Sequence, residues 1–244
     1  MRMKFALLLA CTLGVLFGVG GCKKKVIVTG EEVKNSPEGR ACPKNVGVIS
    51  DGENNSNQIN DVEGRGGYWY TFVDDAGSSV VPEAGKNGGT FSMTAGGAKG
   101  TKYGAHITGN IAGGGTLFAG VGLNFVDPKG QYDASKYQGI SFWAKKGPGS
   151  ATKVKLKVPD AATDPDGKIC KECFNDFGMD LTLNDEWTQY TIPFTSMKQD
   201  KTWGSPHPDG IDKSKLYGIQ FQFNEPNTSF DFWVDEIEFT GCGN

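Results

Sequence analysis

Gln220 and Gln222 stand two residues apart in Gly218-Ile219-Gln220-Phe221-Gln222-Phe223. On a strand, that spacing projects both amides from one face while Ile219, Phe221 and Phe223 take the other. Planar amides, amines and carboxylates bond well to sugar hydroxyls, and aromatic faces stack on pyranose C–H groups. Asn124 and Lys155 occupy comparable non-core positions on two other strand-like segments, and His106 stands opposite Ala105 and Ile107 on a third. Trp69 and Tyr103 are the nearest candidate platforms, with Trp203 in a loop beside Gly204 and Pro206. Each has a plainer reading: Trp69 is as well suited to a core, and Lys155 to a solvated face.

Hydrolytic chemistry would need carboxylates instead. Asp231, Asp235, Glu236 and Glu238 cluster in one segment. A retaining glycosidase requires two carboxyls about 5–5.5 Å apart on one face. Glu236 and Glu238 have the spacing but lack apolar alternation around them, so outward polar residues explain them more simply. Asp160, Asp164, Asp166, Asp176 and Asp180 form a second acidic group around Cys170 and Cys173, suited to binding a metal or to shaping one end of a cleft. The two histidines, His106 and His207, form no triad, and no glycine-rich run joins a strand to a helix. The expectation is therefore binding without catalysis.

These side chains need sheets to position them. The chain has 36 glycines in 244 residues, about twice the usual share, which disfavours helical bundles. Period-two segments recur between turns: 67–74, 104–109, 117–126, 139–145, 153–159, 188–194, 217–223 and 230–239. In the last, Phe230, Phe232 and Val234 share one face but Ile237 and Phe239 take the other, so a bulge near Asp235 is expected. The pattern predicts an all-β fold, a two-sheet antiparallel jelly-roll sandwich. The segment from Pro159 to Phe177 reads as a long loop.

At the N-terminus, Arg2 and Lys4 precede an apolar run that meets Val19-Gly20-Gly21-Cys22. This has the form of an export signal. Its end resembles a bacterial lipobox, which implies cleavage before Cys22, acylation of that cysteine and anchoring to a lipid bilayer. Lys23-Lys24-Lys25 follows with no Asp, which by analogy favours the outer membrane. The expected organisation is a signal peptide over 1–21, a polar tether over 22–44 and one domain over 45–244. The formal net charge is −3, which gives no footprint for nucleic acid. In an oxidising compartment Cys42, Cys170, Cys173 and Cys242 allow three pairings. Cys42 with Cys242 and Cys170 with Cys173 are expected, since domain ends are often close. One CxxC without a second argues against zinc.

Residues 137–145, 187–194, 216–223 and 230–237 together resemble the serial strands of galactose-binding-like jelly-roll modules, closest to family 11 carbohydrate-binding modules. The resemblance implies non-catalytic binding of β-glucan-like polysaccharide in a cleft on one sheet face, with structural calcium. It places the calcium ligands in Ser50-Asp51-Gly52-Glu53, as Asp51 and Glu53, and at Asp235. Gly52 stands where an aromatic is common in that family, and its aromatic cleft is not repeated motif for motif. A structural or adhesive envelope lipoprotein with a protein partner is the alternative reading, and a glycan hydrolase a third.

Overall fold

A computed structural model describes residues 37–85 and 91–242. The expected signal peptide, Cys22 and most of the expected tether lie outside the described residues. Twelve strands follow in chain order: β1 (Val48–Ser50), β2 (Trp69–Val73), β3 (Ser79–Val81), β4 (Thr94–Ala95), β5 (Tyr103–Asn110), β6 (Ala119–Asn124), β7 (Gly139–Lys146), β8 (Lys153–Val158), β9 (Phe177–Thr182), β10 (Thr188–Pro193), β11 (Gly218–Phe223) and β12 (Ser229–Thr240). Among the described residues the helices are single turns, and none is long and apolar enough to cross a membrane.

The strands form two antiparallel sheets. A seven-stranded sheet runs β10-β7-β12-β5-β3, with β1 added beside β12 and β4 beside β5. A five-stranded sheet runs β2-β6-β11-β8-β9. The apolar rows read from the sequence meet between them. Phe221 of β11 packs edge-on to Phe142 of β7 at 5.0 Å and against Phe232 of β12 at 5.3 Å. Phe223 stacks on Phe230 at 4.5 Å. Alternation alone produces this arrangement, because each strand has one row to hide and two sheets hide their rows against each other.

The phase change in β12 is a bulge. Pairing with β7 shifts register between Asp235 and Glu238, and Glu236 adopts φ +50°. The extra residue turns Ile237 and Phe239 back into the core, where both are fully buried. β12 is central rather than marginal, since it pairs with β7, β5 and β1.

Both expected disulfides are formed, Cys42–Cys242 and Cys170–Cys173. The first lies in a small annex to the seven-stranded sheet. Ala41 bridges Thr240, Gly241 N–H donates to Arg40 O, and the Thr240 hydroxyl donates to Glu38 O. Residues 38–42, read as tether, are therefore part of the folded unit. Arg65 is also buried, which no pattern foretold. Its guanidinium donates to the Tyr132 and Tyr137 hydroxyls and to the carbonyls of Val46 and Val48. It lies 5.3 Å from the centre of the Phe239 ring.

Candidate functional site

The outer face of the five-stranded sheet gathers most of the expected polar residues. Cross-strand register puts Tyr70, Gly122, Gln220, Lys157 and Gly178 in one row. Phe72, Gly120, Gln222, Lys155 and Asp180 form the next. Asn124 lies one step beyond, opposite Gly218. Gln220 and Gln222 are half-buried and point away from the core, as their spacing requires.

The two glycines of β6 decide the shape of this face. A Cβ at Gly122 would come within 2.8 Å of the Tyr70 ring tip, and one at Gly120 within 2.8 Å of Phe72 Cζ. Each ring therefore lies across β6 in the space a side chain would fill. Tyr70 reaches over the whole strand to β11, where Gln220 Nε2 donates to its hydroxyl at 2.9 Å. Two strand spacings amount to about 9–10 Å, so only a ring lying along the sheet spans them. Burial pushes the Tyr70 hydroxyl up to about 12, against the opposing pull of the Gln220 bond, so it stays protonated at neutral pH. Tyr68, Tyr70, Phe72 and Phe118 follow one another with centroids 6.3–6.5 Å apart. This is a continuous aromatic strip.

The strip corrects the choice of platform. Trp69 is 1% exposed, stacks on Phe91 at 5.6 Å and donates its indole N–H to Ser50 Oγ. It is core, and its half-buried neighbours Tyr68 and Tyr70 take the outer face instead. The alternation of Gly67-Tyr68-Trp69-Tyr70-Thr71-Phe72 held that answer, because Trp and Tyr cannot share a face at this spacing. Tyr103 and His106 lie on β5 in the other sheet, away from the strip. His106 stacks on Trp233 at 3.9 Å and contacts Asp231 at 2.9 Å.

Charged groups frame one end of the strip. Lys157 on this outer face is buried. Its Nζ lies 3.0 Å from Asp176 Oδ2 and 3.2 Å from Gln222 Oε1. Among the described residues no hydrogen-bond donor meets Asp176 Oδ1. Lys129 bridges Asp164 and Asp166 at 2.8 and 2.9 Å. Burial pulls the Lys129 ammonium down, but the two carboxylates outweigh it and hold the amine above its usual range. Asp160 is pushed upward by burial. A cavity of about 280 Å³ lies among Tyr68, Tyr70, Asn124, Lys129, Phe174 and Gln220. A second, of about 440 Å³, shares Tyr68 and Lys129 and continues past Asn57 and Gln58. The arrangement offers flat apolar rings beside amide, ammonium and carboxylate groups along an open trough.

The residues expected to hold calcium are Asp51, Glu53 and Asp235. Glu53 Oε1 accepts the backbone N–H groups of Lys102 and Tyr103, so this carboxylate holds a loop. Asp51 Oδ1 accepts from Glu53 N–H at 3.3 Å. Among the described residues no three His, Cys, Asp or Glu side chains gather as a metal site. Asp235 alone opens on a suitable cradle. A Cβ at Gly97 would lie 2.3 Å from Thr101 Oγ1 and Tyr103 O and 2.8 Å from Asp235 Oδ2. Burial pushes the Asp235 carboxyl up to about 6, more than the bonds from Ala98, Thr101 and Glu236 restrain it. One carboxylate, one hydroxyl and one carbonyl suit a hard cation; the expected acidic trio does not assemble around it.

The sequence model of the family described as carbohydrate binding domain 30 matches residues 92–241. The chain belongs to this family. No protein of curated function matches the sequence. Among solved structures, the family 11 module from Clostridium thermocellum in complex with a β-1,3-1,4-mixed-linked tetrasaccharide is 21% identical, with TM-score 0.52 over 81% of this chain and 97% of that one. The same organism's family 11 module in solution is 20% identical, with TM-score 0.53 over 82% and 98%. The family 30 module of its cellulosomal cellulase Cel9D-Cel44B is 11% identical, with TM-score 0.50 over 82% and 98%. The sequence resemblance pointed to family 11 and the family match is to family 30; the three structures share the jelly-roll fold with this chain. The fold is that of a carbohydrate-binding module.

Proposed function

We propose that this protein binds β-glucan-like polysaccharide, without catalysis, along the outer face of the five-stranded sheet. One observation carries the reading: Tyr70 reaches across Gly122, held there by Gln220, with Tyr68 and Phe72 continuing the strip. An aromatic ring fixed at its hydroxyl suits the C–H face of a pyranose, and the amides of Asn124, Gln220 and Gln222 suit its hydroxyls. Family membership supports the ligand class, and the mixed-linkage tetrasaccharide bound to the Clostridium thermocellum module suggests the linkage type. In gels containing soluble mixed-linkage β-glucan, the protein should migrate more slowly than in plain gels. Tyr70→Ala should lose that retardation while keeping its melting temperature within a few degrees. Equal retardation of both proteins would sink the proposal. Release of reducing ends would replace it with a hydrolase, and an unretarded protein that co-purifies with an envelope protein would support the adhesive alternative.

Cys22, in our reading, anchors this module by lipid to the cell envelope, at the outer membrane. Incorporation of labelled fatty acid that survives Cys22→Ala would contradict that. A calcium ion held by Asp235, Thr101 and the Tyr103 carbonyl would brace the β12 bulge. A melting temperature unmoved by calcium addition or chelation would remove it.

A further inference from the structure

Phe174 is 57% exposed, yet it lies in the left-handed region with φ +72°. A phenylalanine there gains nothing for the fold. Its ring is in water, and its backbone conformation is one that glycine or asparagine adopts at lower cost. The chain nevertheless holds it firmly from both sides. The Cys170–Cys173 disulfide closes a ring immediately before it. Immediately after it, the buried Asn175 side chain donates to Asp200 O and Trp203 O and accepts from Asp200 N–H. Gln199 Nε2 donates to the Asn175 carbonyl, and Phe174 N–H donates to Thr163 O. A second ladder joins the same loops, with Lys171 N–H donating to Ser205 O and Ser205 N–H to Glu172 O.

Strained residues that the surroundings over-determine cluster at ligand clamps. Phe174 lines the 280 Å³ cavity together with Tyr68, Tyr70, Asn124 and Gln220. That volume is below the range of sites for larger ligands and suits a single sugar ring. Tyr70 comes to this cavity from the sheet and Phe174 from the loop between β8 and β9.

We infer that Phe174 is a specificity-determining ligand contact: a disulfide-braced aromatic finger that closes on a sugar ring seated on Tyr70. The inference rests on the proposed glycan face. Contact by two aromatic rings requires a sugar that presents C–H groups on both faces. Pyranoses with all substituents equatorial, such as β-linked glucosyl and xylosyl units, do so. An axial hydroxyl, as in mannosyl or galactosyl units, places a polar group against one of the rings.

The test compares wild type, Tyr70→Ala and Phe174→Gly by calorimetric titration with mixed-linkage gluco-oligosaccharide and manno-oligosaccharide, and records their melting temperatures. Phe174→Gly should bind the gluco-oligosaccharide about tenfold more weakly, the size expected for loss of one aromatic contact. It should also lose much of the preference over the manno-oligosaccharide and melt no lower than wild type, since glycine relieves the backbone. If wild type and Tyr70→Ala differ as expected but Phe174→Gly binds like wild type, the finger is wrong and the sheet face stands. If Phe174→Gly instead melts several degrees lower, Phe174 is structural and the inference falls. Failure of wild type to bind either sugar overturns the face and the finger together.

Discussion

The protein carries aromatic residues on both outer faces, and the two faces treat them oppositely. On the five-stranded sheet the tips of the Tyr70 and Phe72 rings reach over Gly122 and Gly120, their planes tilted 48° to each other, and both side chains stay half-buried. On the seven-stranded sheet three tryptophans hold their ring faces against other groups. Trp233 stacks on His106, and Lys145 Nζ lies 5.2 Å from the centre of Trp233 and 5.0 Å from that of Trp187. Lys99 lies 5.3 Å over Trp143. Those indoles already have their partners, each cation contributing about 0.5–1 kcal/mol of attraction at such sites. Aromatic content alone therefore does not mark a binding face. The proposed face differs in that Gly120 and Gly122 leave room for the Phe72 and Tyr70 rings to reach across the neighbouring strand.

The comparison can be broken from either side. The largest effect is expected at Gly122→Val. A side chain there meets Tyr70 at 2.8 Å and Gln220 Cγ at 3.0 Å, so it should lift the ring and lower glucan affinity at least tenfold. Glucan affinity electrophoresis checks this; unchanged retardation would show that the ring is not the contact. Trp233→Ala should do the reverse. It removes a half-buried indole with its His106 and Lys145 contacts and should cost about 2–3 kcal/mol in urea unfolding, with glucan retardation unchanged. A loss of retardation without a loss of stability would move the binding face to the other sheet.

The smallest effect concerns Asp74, just beyond β2. Burial pushes its carboxyl up, but bonds from the Ser78 hydroxyl and from the N–H groups of Phe118, Ser78 and Ala76 outweigh that and hold it below its usual range. A folded-state value below the unfolded one adds stability above the unfolded pKa, near 4. That stability disappears as pH falls through the lower folded value. Asp74→Asn should therefore cost about 1 kcal/mol at neutral pH and less below pH 4, read by urea unfolding at several pH values. Because Asp74 fixes Phe118 at the end of the strip, a small loss of glucan affinity should accompany it. A cost that grows as the pH falls would contradict the assignment.

Much of the fold was legible because alternation is a local signal. Val154, Leu156 and Val158 were readable as core from six residues, and the phase change at Asp235 announced its bulge. β9 was not legible, since Phe177-Gly178-Met179-Asp180 alternates weakly and follows a loop. The burial of Lys157 was not legible because its partner Asp176 is distant along the chain and alternation carries no pairing information. The site was half legible. Gln220, Gln222, Asn124 and Lys155 share one outer face because strand phase fixes a side. Tyr103 and His106 lie on the other sheet, because phase says nothing about which sheet a strand joins. Choosing Trp69 over Tyr68 and Tyr70 put residue type above phase. Phe174 left no sequence signal, since a positive φ at a non-glycine position comes from the tertiary staples around it.

The most direct test of the central claim is an amide chemical-shift titration of the folded domain with mixed-linkage gluco-oligosaccharide. Saturable shifts are expected at residues 68–72, 120–124 and 218–222, with the amides of Trp143, Trp187 and Trp233 unmoved. Shifts confined to β7, β12 and β5, or none at millimolar sugar, would contradict that claim.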